Sequence, residues 1–254
     1  MTTPTIDIEL SAPVNPRDLG GIPIRGGILR EGMALRADDL CVITGEDAQA
    51  LVDGGLAAVI DLRTNDEAAL TGRGPLAGYR VAYHHLPLVE SISAGMPDGD
   101  APVIEHVAMG EMYARMVESA ALQLASALGI IALAPGATAF HCAAGRDRTG
   151  VLAAVLLLAL GATDDDIVID YARTSPNMPA ILERTKPTIG ALMARLGFDL
   201  DAMAAVTISE EPMDIAMHTM LARLRERHGD VLAPLRAAGL GEGTIARLRE
   251  RALA

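Results

Sequence analysis

A ten-residue segment, residues 141–150, constrains the fold of this 254-residue chain more than any other stretch. It reads His-Cys-Ala-Ala-Gly-Arg-Asp-Arg-Thr-Gly and joins a short apolar run, residues 136–141, to a long run with helical periodicity, residues 149–160. The pattern predicts a strand, a tight loop and a helix in direct succession. In that arrangement the backbone N–H groups of the loop converge at the helix N-terminus, where the helix dipole favours a negative charge. The segment therefore predicts a phosphate-binding loop.

Cys142 lies at the start of this loop, six positions before Arg148, and Thr149 follows directly. The field of a helix N-terminus favours the thiolate form of a cysteine, and a thiolate beside a bound phosphate is a nucleophile for phosphoryl transfer. The guanidinium of an arginine can hold two phosphate oxygens at once. Small side chains let the loop backbone approach the anion closely, and they belong to Ala143, Ala144 and Gly145.

Strand patterns alternate with helical patterns along the chain, which favours an α/β fold with a mainly parallel sheet. Residues 56–63 form an apolar run that ends in polar residues, and residues 79–86 indicate another strand. In sheets of this kind, ligands bind beyond the carboxyl ends of the strands. Because Asp61 and residues 141–150 each follow a strand, we expect them at the same edge of the sheet.

Turn and cap signals divide the rest of the chain. Residues 22–30 are typical of a hairpin, and Thr44 and Thr163 each precede a helix with an acidic residue three positions on. Residues 91–100 predict a loop. Residues 174–206 contain prolines that predict a break, a helix and a turn at Gly197. Further helices are expected over residues 105–116, 118–133 and 212–254.

The net charge and the cysteine content indicate which binding partners and which cellular compartment to expect for this protein. A net charge of −12 opposes binding to nucleic acid, and with only Cys41 and Cys142 a disulfide framework is unexpected. The first residues show neither the basic nor the apolar region of a secretory signal, so a cytoplasmic protein is expected, with export by another route left open. The longest apolar run, residues 151–160, is far shorter than the ~20 residues that span a bilayer, so no membrane-spanning segment is expected.

The string His-Cys-x-x-Gly-x-x-Arg-Thr-Gly resembles the signature loop of the cysteine-dependent phosphatases. Two departures distinguish this chain from the pattern of their atypical bacterial protein tyrosine phosphatase family. Arg146 replaces the lysine of the family's loop, which keeps the positive charge but alters its shape, and Pro16 replaces an aromatic residue. Motifs that extend the resemblance over most of the chain lie at residues 15–21 (Asn-x-Arg-Asp-Leu-Gly-Gly), 26–30, 61–63 (Asp-Leu-Arg) and 219–229.

The resemblance implies one cysteine-dependent phosphatase domain over residues 1–254. Its fold would be a phosphatase-type, mainly parallel central sheet flanked by helices. Residues 174–206 would carry a helical lid over the site, and residues 207–254 would form C-terminal helices. Several members of the family accept phosphotyrosine, phosphoserine and phosphoinositides, and the reaction implied here needs no metal and no cofactor.

The resemblance also implies roles for the residues of the loop. Cys142 would be the nucleophile that forms a phosphocysteine, and Arg148 would bind phosphate and stabilise the transition state. Thr149 would hydrogen-bond the cysteine sulfur, and His141 is expected to hold the loop rather than transfer protons. The expected phosphate-binding residues are Ala143, Ala144, Gly145, Arg146, Arg148 and Thr149.

The general acid has two candidate sources. The resemblance implies the loop aspartate, Asp147, although a carboxylate beside an arginine and a helix N-terminus is favoured in its ionised form. Many phosphatases take the acid from a separate mobile loop, where Asp98 and Asp100 are the candidates. Asp61 would position water or Arg146, or it would pair with a nearby arginine.

Three other functions stay open at this point. A phosphoinositide or inositol-phosphate phosphatase would use a second basic residue in the loop to meet further phosphates. A phospho-ligand binding module would keep the loop without turnover, but Cys142, Arg148 and Thr149 are all present. The third is a sulfur transferase or an arsenate reductase with a similar anion loop; such reductases usually need further resolving cysteines, and only Cys41 is available.

Overall fold

The computed structural model describes residues 9–92, 103–195 and 207–253. The strands are β1 (Arg17–Asp18), β2 (Pro23–Ile24), β3 (Gly27–Ile28), β4 (Ala34–Ala37), β5 (Leu56–Asp61), β6 (Ala82–His85), β7 (Val103–Ile104), β8 (Ala137–His141) and β9 (Thr207–Ile208). The α-helices are α1 (Gly45–Asp53), α2 (Asn65–Thr71), α3 (His106–Ser119), α4 (Ala121–Leu133), α5 (Asp147–Leu160), α6 (Asp164–Ala172), α7 (Met178–Arg195), α8 (Asp214–His228), α9 (Ala233–Ala237) and α10 (Glu242–Leu253).

A five-stranded sheet with the order β1-β4-β8-β5-β6 forms the centre of the fold. The pairs β4–β8, β8–β5 and β5–β6 are parallel, and the short edge strand β1 is antiparallel to β4. The predicted α/β class, with a mainly parallel sheet flanked by helices, is confirmed. Asp61 lies opposite His141 in the register of β5 and β8, so the two strands end side by side where the loop begins.

Apolar side chains cover both faces of the sheet, since successive residues of a strand point to opposite sides. Phe140 and Ile60 pack in a large cluster with buried residues of the long helices, including α3, α4 and α5. Ala139 and Val59 pack in a smaller cluster on the other face, together with Ala48 of α1. Because β8 is buried along its whole length, the residues that follow it start from a fixed position.

Several helix and turn predictions are confirmed, and two need correction. The hairpin within 22–30 is formed by β2 and β3, and Thr44 and Thr163 both close capping boxes. The break between α3 and α4 lies at Ala120, three residues later than predicted. Pro187 lies inside α7, which continues although proline removes one backbone hydrogen bond.

The buried side chains of Ile181, Leu192 and Met193 explain why α7 continues past this proline, because packing stabilises a helix more than local propensity does. The predicted turn at Gly197 and most of the predicted loop at 91–100 lie outside the described residues. Strand β4 was not expected from the sequence.

The described residues contain no single helix that is long and apolar enough to cross a membrane. Helices α3 and α4 meet the length and composition criteria only when they are joined, and the chain bends by 76° between them.

Candidate active site

The loop between β8 and α5 turns sharply at Gly145. This glycine has φ +66°, and a Cβ atom added to it would lie 2.6 Å from the backbone oxygen of Ala37 and from the backbone nitrogen of Asp38. An L-residue with a side chain is disfavoured at such a φ, and the neighbouring backbone of the strand end cannot move aside. Only glycine fits this position of the loop.

Cys142 occupies the first position of the loop, with its side chain buried. The hydroxyl of Thr149, in the first turn of α5, donates a hydrogen bond to the Cys142 sulfur at 3.2 Å. The sulfur therefore lies next to the N-terminus of a 14-residue helix and already has a hydrogen-bond donor. Both features stabilise negative charge on the sulfur.

Arg148 is held by a carboxylate that the sequence analysis did not single out. Its two terminal nitrogens, Nη1 and Nη2, donate to the two carboxylate oxygens of Glu67 at 2.5 Å and 3.0 Å. Burial alone would lower the pKa of the Arg148 guanidinium, but the neighbouring Cys142 and Glu67 outweigh it and raise that pKa above its ordinary value. Arg148 therefore stays charged beside the sulfur.

Glu67 is placed by the start of α2. The side chain of Thr64 accepts a hydrogen bond from the Glu67 backbone N–H, and the Glu67 carboxylate accepts one from the Thr64 backbone N–H, which together form a capping box. The spacing of Thr64 and Glu67 is a visible sequence signal, but it indicates only a helix start. Nothing local in the sequence indicates that the same carboxylate binds Arg148.

The motif at residues 15–21 holds the loop from behind. The Asn15 side chain donates to the backbone oxygen of Gly145 at 3.4 Å, and the buried Arg36 donates to the same oxygen at 2.9 Å. A trans peptide points its C=O and N–H in opposite directions. With the Gly145 oxygen fixed on this side, the N–H of Arg146 points to the other side of the loop.

Asp170 of α6 pairs with Arg36, which contacts the loop, and with Arg17, which donates to the Asn15 side chain. Its carboxylate pairs with Arg36 at 2.5 Å and with Arg17 at 2.8 Å. Burial would raise the pKa of Asp170, but Arg36 and Arg17 outweigh it and hold that pKa below its ordinary value. The ion pairs explain how Arg36 can be fully buried in β4, where its charge would otherwise be unfavourable.

Arg146 and Asp147 continue the loop into a cluster of tyrosines. The Arg146 guanidinium is 3% exposed, with Nε 3.4 Å from the Tyr171 hydroxyl and Nη2 3.2 Å from the Met109 sulfur. Asp147 is 30% exposed, and its Oδ1 accepts a hydrogen bond from the Tyr113 hydroxyl. Of these two loop residues, the structure thus buries Arg146 and leaves Asp147 in reach of solvent.

His141 and Asp61 lie behind the loop, in a buried cluster around Arg63. Arg63 Nη2 is 2.7 Å from Asp61 Oδ2, and the Tyr83 hydroxyl donates to the same oxygen at 2.7 Å. Burial would raise the pKa of Asp61, but His141 and Arg63 outweigh it and lower that pKa below its ordinary value. His141 Nδ1 lies 3.2 Å from the backbone oxygen of Cys142. Asp61 therefore pairs with a nearby arginine, one of the two roles considered for it.

Three ligand-type side chains in this cluster, those of Asp39, Cys41 and His141, have donor atoms within 4.8 Å of one another. The Arg63 guanidinium already contacts two of them, 3.0 Å from Asp39 Oδ2 and 2.9 Å from the Cys41 sulfur. Burial and the Asp39 charge raise the pKa of the Cys41 thiol well above its ordinary value. A cation would have to displace Arg63 and deprotonate Cys41, so these residues fit a metal poorly.

A cavity of about 280 Å³ opens in front of the loop. Asp147 and Arg148 contribute its polar side, next to Ala143 and Ala144. Helix α7 forms one wall, and residues before and within α3 form another. The lining side chains outside the loop are mainly apolar; they are Val89, Ser91, Ile92, Met112, Met116, Leu182, Thr185, Ile189 and Met193. The alternative acids Asp98 and Asp100 lie outside the described residues.

Helix α7 is fixed beside this cavity by Arg184. The Arg184 guanidinium donates to Asp38 at 2.6 Å and to the backbone oxygen of Asp39 at 3.0 Å, and both acceptors follow β4 directly. Lining residues of α7 recur at helical spacing, from Leu182 to Ile189, and Leu182 is 54% exposed. The segment predicted to carry a lid thus borders the loop.

Comparison with known proteins identifies phosphatases whose sequences are similar to between half and most of this chain. A Cupriavidus necator protein with a tyrosine-protein phosphatase name is 31% identical over 176 residues, which is 66% of this chain and 63% of that protein. A tyrosine-protein phosphatase of Nostoc commune is 32% identical over 146 residues, 54% of this chain and 47% of that protein. The triple specificity protein phosphatase PtpB of Mycobacterium tuberculosis is 25% identical over 251 residues, 87% of this chain and 91% of that protein.

This chain therefore spans about half to two thirds of the length of the first two relatives. Among solved structures, the crystal structure of P. aeruginosa TpbA in complex with pTyr matches 75% of this chain and 88% of that chain at 16% identity. Its TM-score of 0.24 is too low to carry an argument about the fold.

The family profile is the finding that covers the most residues. A profile described as the tyrosine phosphatase family matches residues 8–254, which includes the loop, α7 and the C-terminal helices. The chain belongs to the tyrosine phosphatase family.

Proposed function

We propose that this protein hydrolyses phosphotyrosine in proteins through a phosphocysteine intermediate on Cys142. The observation that carries the proposal is the Cys142 sulfur, hydrogen-bonded by Thr149 at the N-terminus of α5 and next to the fixed charge of Arg148. A phospho-ligand binding module would need the loop and the arginine, but not a nucleophile with its own hydrogen-bond donor. Family membership supports turnover rather than binding alone.

In the first step the Cys142 thiolate attacks the phosphorus, and the bond to the phenol oxygen breaks as the S–P bond forms. The leaving oxygen takes a proton from Asp147, which lines the same cavity. Backbone N–H groups of the loop and the Arg148 guanidinium hold the equatorial oxygens, on which charge collects in the transition state. The products are tyrosine and a phosphocysteine.

In the second step water attacks the phosphocysteine, and Asp147, now a carboxylate, accepts a proton from that water. The sulfur leaves as a thiolate, and the Thr149 hydroxyl stabilises it. Inorganic phosphate is released, and Cys142 and Asp147 return to their starting protonation states. No atom or electron from another reactant is needed.

Arg148 can bind Glu67 and phosphate at the same time. Its guanidinium has five N–H donors, two of which the Glu67 carboxylate engages end-on, so the Nε side remains for phosphate oxygens. Glu67 thereby fixes the orientation of the arginine before substrate arrives. An arginine that is oriented in advance loses less conformational freedom on binding.

The walls of the cavity favour an aromatic ring attached to the phosphate. Side chains such as Ile92, Ile189 and Met193 line it, and apolar walls with a few convergent polar groups are typical of sites for aromatic ligands. We include phosphoserine as a further substrate because the mycobacterial relative is named a triple specificity protein phosphatase. Phosphoinositides are less favoured because Arg146, the second basic residue of the loop, is buried against Tyr171 and Met109.

The proposal takes residues 1–254 as one phosphatase domain and α7, within residues 174–206, as a lid over the substrate. Residues 207–254 complete the domain as C-terminal helices. Both cysteines are free thiols, which fits a protein that acts in the reducing cytoplasm. A phosphorylated protein is the expected partner.

The experiment that tests the proposal traps the intermediate. The enzyme is mixed with a phosphotyrosine peptide, quenched with acid within one turnover and digested. We expect a phosphate adduct on the peptide that contains Cys142, and phosphate release that a chelator does not change. A phosphate adduct on another residue, or turnover that requires added metal, would contradict the mechanism. Phosphoserine peptides and phosphoinositides, run in parallel, rank the substrates.

Glu67→Gln is expected to lower the free energy of unfolding by roughly 3 kcal/mol, because removing one partner of a buried ion pair leaves the other charge uncompensated. Burial would raise the pKa of Glu67, but Arg148 outweighs it and holds that pKa below its ordinary value. The difference between wild type and variant should therefore be complete above the ordinary glutamate pKa and vanish as the pH falls through the lowered one. Urea unfolding at several pH values measures it.

The matched control for this variant is Glu111→Gln, which removes a partly exposed carboxylate that pairs with Arg223 and Arg227. Exposed pairs contribute little to stability, so a much smaller loss is expected there. Equal losses of unfolding free energy in the two variants would mean that the ion pair of Glu67 and Arg148 stabilises the fold no more than an exposed pair does.

A further inference from the structure

Two buried tyrosines connect Asp147 to Arg146 through a chain of hydrogen bonds. The Tyr113 hydroxyl donates to Asp147 Oδ1 and lies 2.8 Å from the Tyr171 hydroxyl. Arg146 Nε lies 3.4 Å from the Tyr171 hydroxyl. Both tyrosines are at most 1% exposed.

The chemistry of the four groups fixes the direction of this chain. A guanidinium can only donate, so the Tyr171 oxygen accepts from Arg146. The single proton of Tyr113 goes to Asp147, so the Tyr113 oxygen must accept the single proton of Tyr171. With the chain in this direction Asp147 Oδ1 is an acceptor, which leaves Oδ2 to carry the proton of the carboxyl group.

The two tyrosines remain protonated donors over the working pH range. Burial and the nearby Asp147 carboxylate raise the pKa of Tyr113 well above its ordinary value. Burial also raises the pKa of Tyr171, which Arg146 offsets only in part. Neither phenol would give up its proton near neutral pH, so both hydroxyls remain able to donate a hydrogen bond there.

Packing fixes the rings as well as the hydroxyls. The two rings meet edge to face, with centroids 6.1 Å apart and an interplanar angle of 74°. Tyr171 also packs against Gly150, where a Cβ atom would lie 2.9 Å from its ring. Tyr113 belongs to α3 and Tyr171 to α6. The hydrogen-bond chain therefore connects the start of α5 to two neighbouring helices.

We propose that Tyr113 and Tyr171 are positioning residues for Asp147, which hold Oδ1 as an acceptor and leave Oδ2 to carry the proton to the leaving group. The inference rests on the proposed function, because it specifies how Asp147 acts in it. Arg146 is the origin of the hydrogen-bond chain in this assignment and does not contact phosphate with its side chain.

Tyr113→Phe tests the inference, since it removes one hydroxyl and keeps the ring. With that hydrogen bond gone, Oδ1 keeps only its longer contact with Arg146 Nε, 3.8 Å away, so the carboxyl group is held less firmly and Oδ2 is aimed at the leaving group for less of the time. We expect kcat on a phosphotyrosine peptide to fall about tenfold, the upper range of what one hydrogen bond contributes, with KM unchanged. On an aryl phosphate whose phenol is acidic enough to leave unprotonated, kcat should stay the same.

Three further variants make the test specific. Tyr171→Phe should lower kcat on phosphotyrosine less than Tyr113→Phe does, because it acts one hydrogen bond further away. Tyr113→Phe added to Asp147→Asn should have no further effect on kcat. Tyr79→Phe, the control, removes a hydroxyl that donates to Gln49 at 3.2 Å on the surface and should change nothing.

Equal losses on both substrates, a change confined to KM, or an additive loss in the Asp147→Asn background would overturn the inference. These outcomes differ from a failure of the proposed function itself, in which the wild-type protein would release no phosphate from either substrate. Thermal unfolding of Tyr113→Phe separates a loss of structure from a loss of positioning, and Tyr171→Phe repeats the test if Tyr113→Phe is unstable.

Discussion

The Cys142→Ser variant is expected to lose turnover by a factor on the order of 10⁶, the effect of removing the nucleophile of a covalent enzyme. A serine hydroxyl is not ionised near neutral pH, so the N-terminus of α5 and Thr149 would have no anionic nucleophile to stabilise. The phosphate cradle should survive, because its shape depends on Gly145 and on the hydrogen bonds that Asn15 and Arg36 donate to the Gly145 oxygen. The variant should therefore still bind a phosphotyrosine peptide.

Phosphate release and isothermal titration with the same peptide measure the two halves of this prediction. Cys41→Ser is the matched control: Cys41 is the other free cysteine, and its sulfur contacts Arg63 behind the loop. It should keep turnover close to that of the wild type. Turnover retained in Cys142→Ser, or lost in Cys41→Ser with the fold intact, would contradict the assignment of Cys142 as the nucleophile.

The segment from β8 to α5 could be predicted from the sequence because its signals are local. An apolar run, a glycine and a helical run follow one another along the chain, and burial of both flanking elements leaves little freedom for the loop between them. The capping boxes at Thr44 and Thr163 are local for the same reason. Neighbours in sequence decide these features, so a single sequence contains them.

Strand β4 could not be predicted because its stability depends on a distant residue. Arg36 sits at a fully buried position in the middle of the strand, where a charged side chain argues against burial. Asp170, 134 residues away, supplies the compensating charge. The pairing of Glu67 with Arg148 could not be predicted for the same reason, since the two residues are 81 positions apart.

Arg146 shows that a sequence motif predicts the position of a residue but not the contacts of its side chain. Its place in the loop predicts a contact with phosphate, since the residues around it converge on one anion. The structure directs its guanidinium to Tyr171 and Met109 instead, on helices α6 and α3. Whether its backbone N–H binds phosphate is a separate expectation, which the loop geometry still supports.

Asp147→Asn is expected to cut kcat on a phosphotyrosine peptide by about 10²–10⁴, the usual contribution of general acid catalysis. Asparagine matches the shape of the side chain, and its carbonyl oxygen can still accept the hydrogen bond from Tyr113. The fold of the loop should therefore persist, while the proton that the leaving phenol needs is gone. On an aryl phosphate with an acidic phenol, which leaves without a proton, the loss should be far smaller.

The ratio of the two losses, measured by steady-state kinetics on both substrates, identifies the acid. A large ratio in Asp147→Asn assigns the role to the loop aspartate that already lines the cavity with Arg148. Equal losses on the two substrates would instead mean that Asp147 only supports the start of α5. A loss confined to phosphotyrosine in Asp98→Asn or Asp100→Asn would assign the general acid to the segment 91–100. Tyr113 and Tyr171 would then not position a catalytic residue.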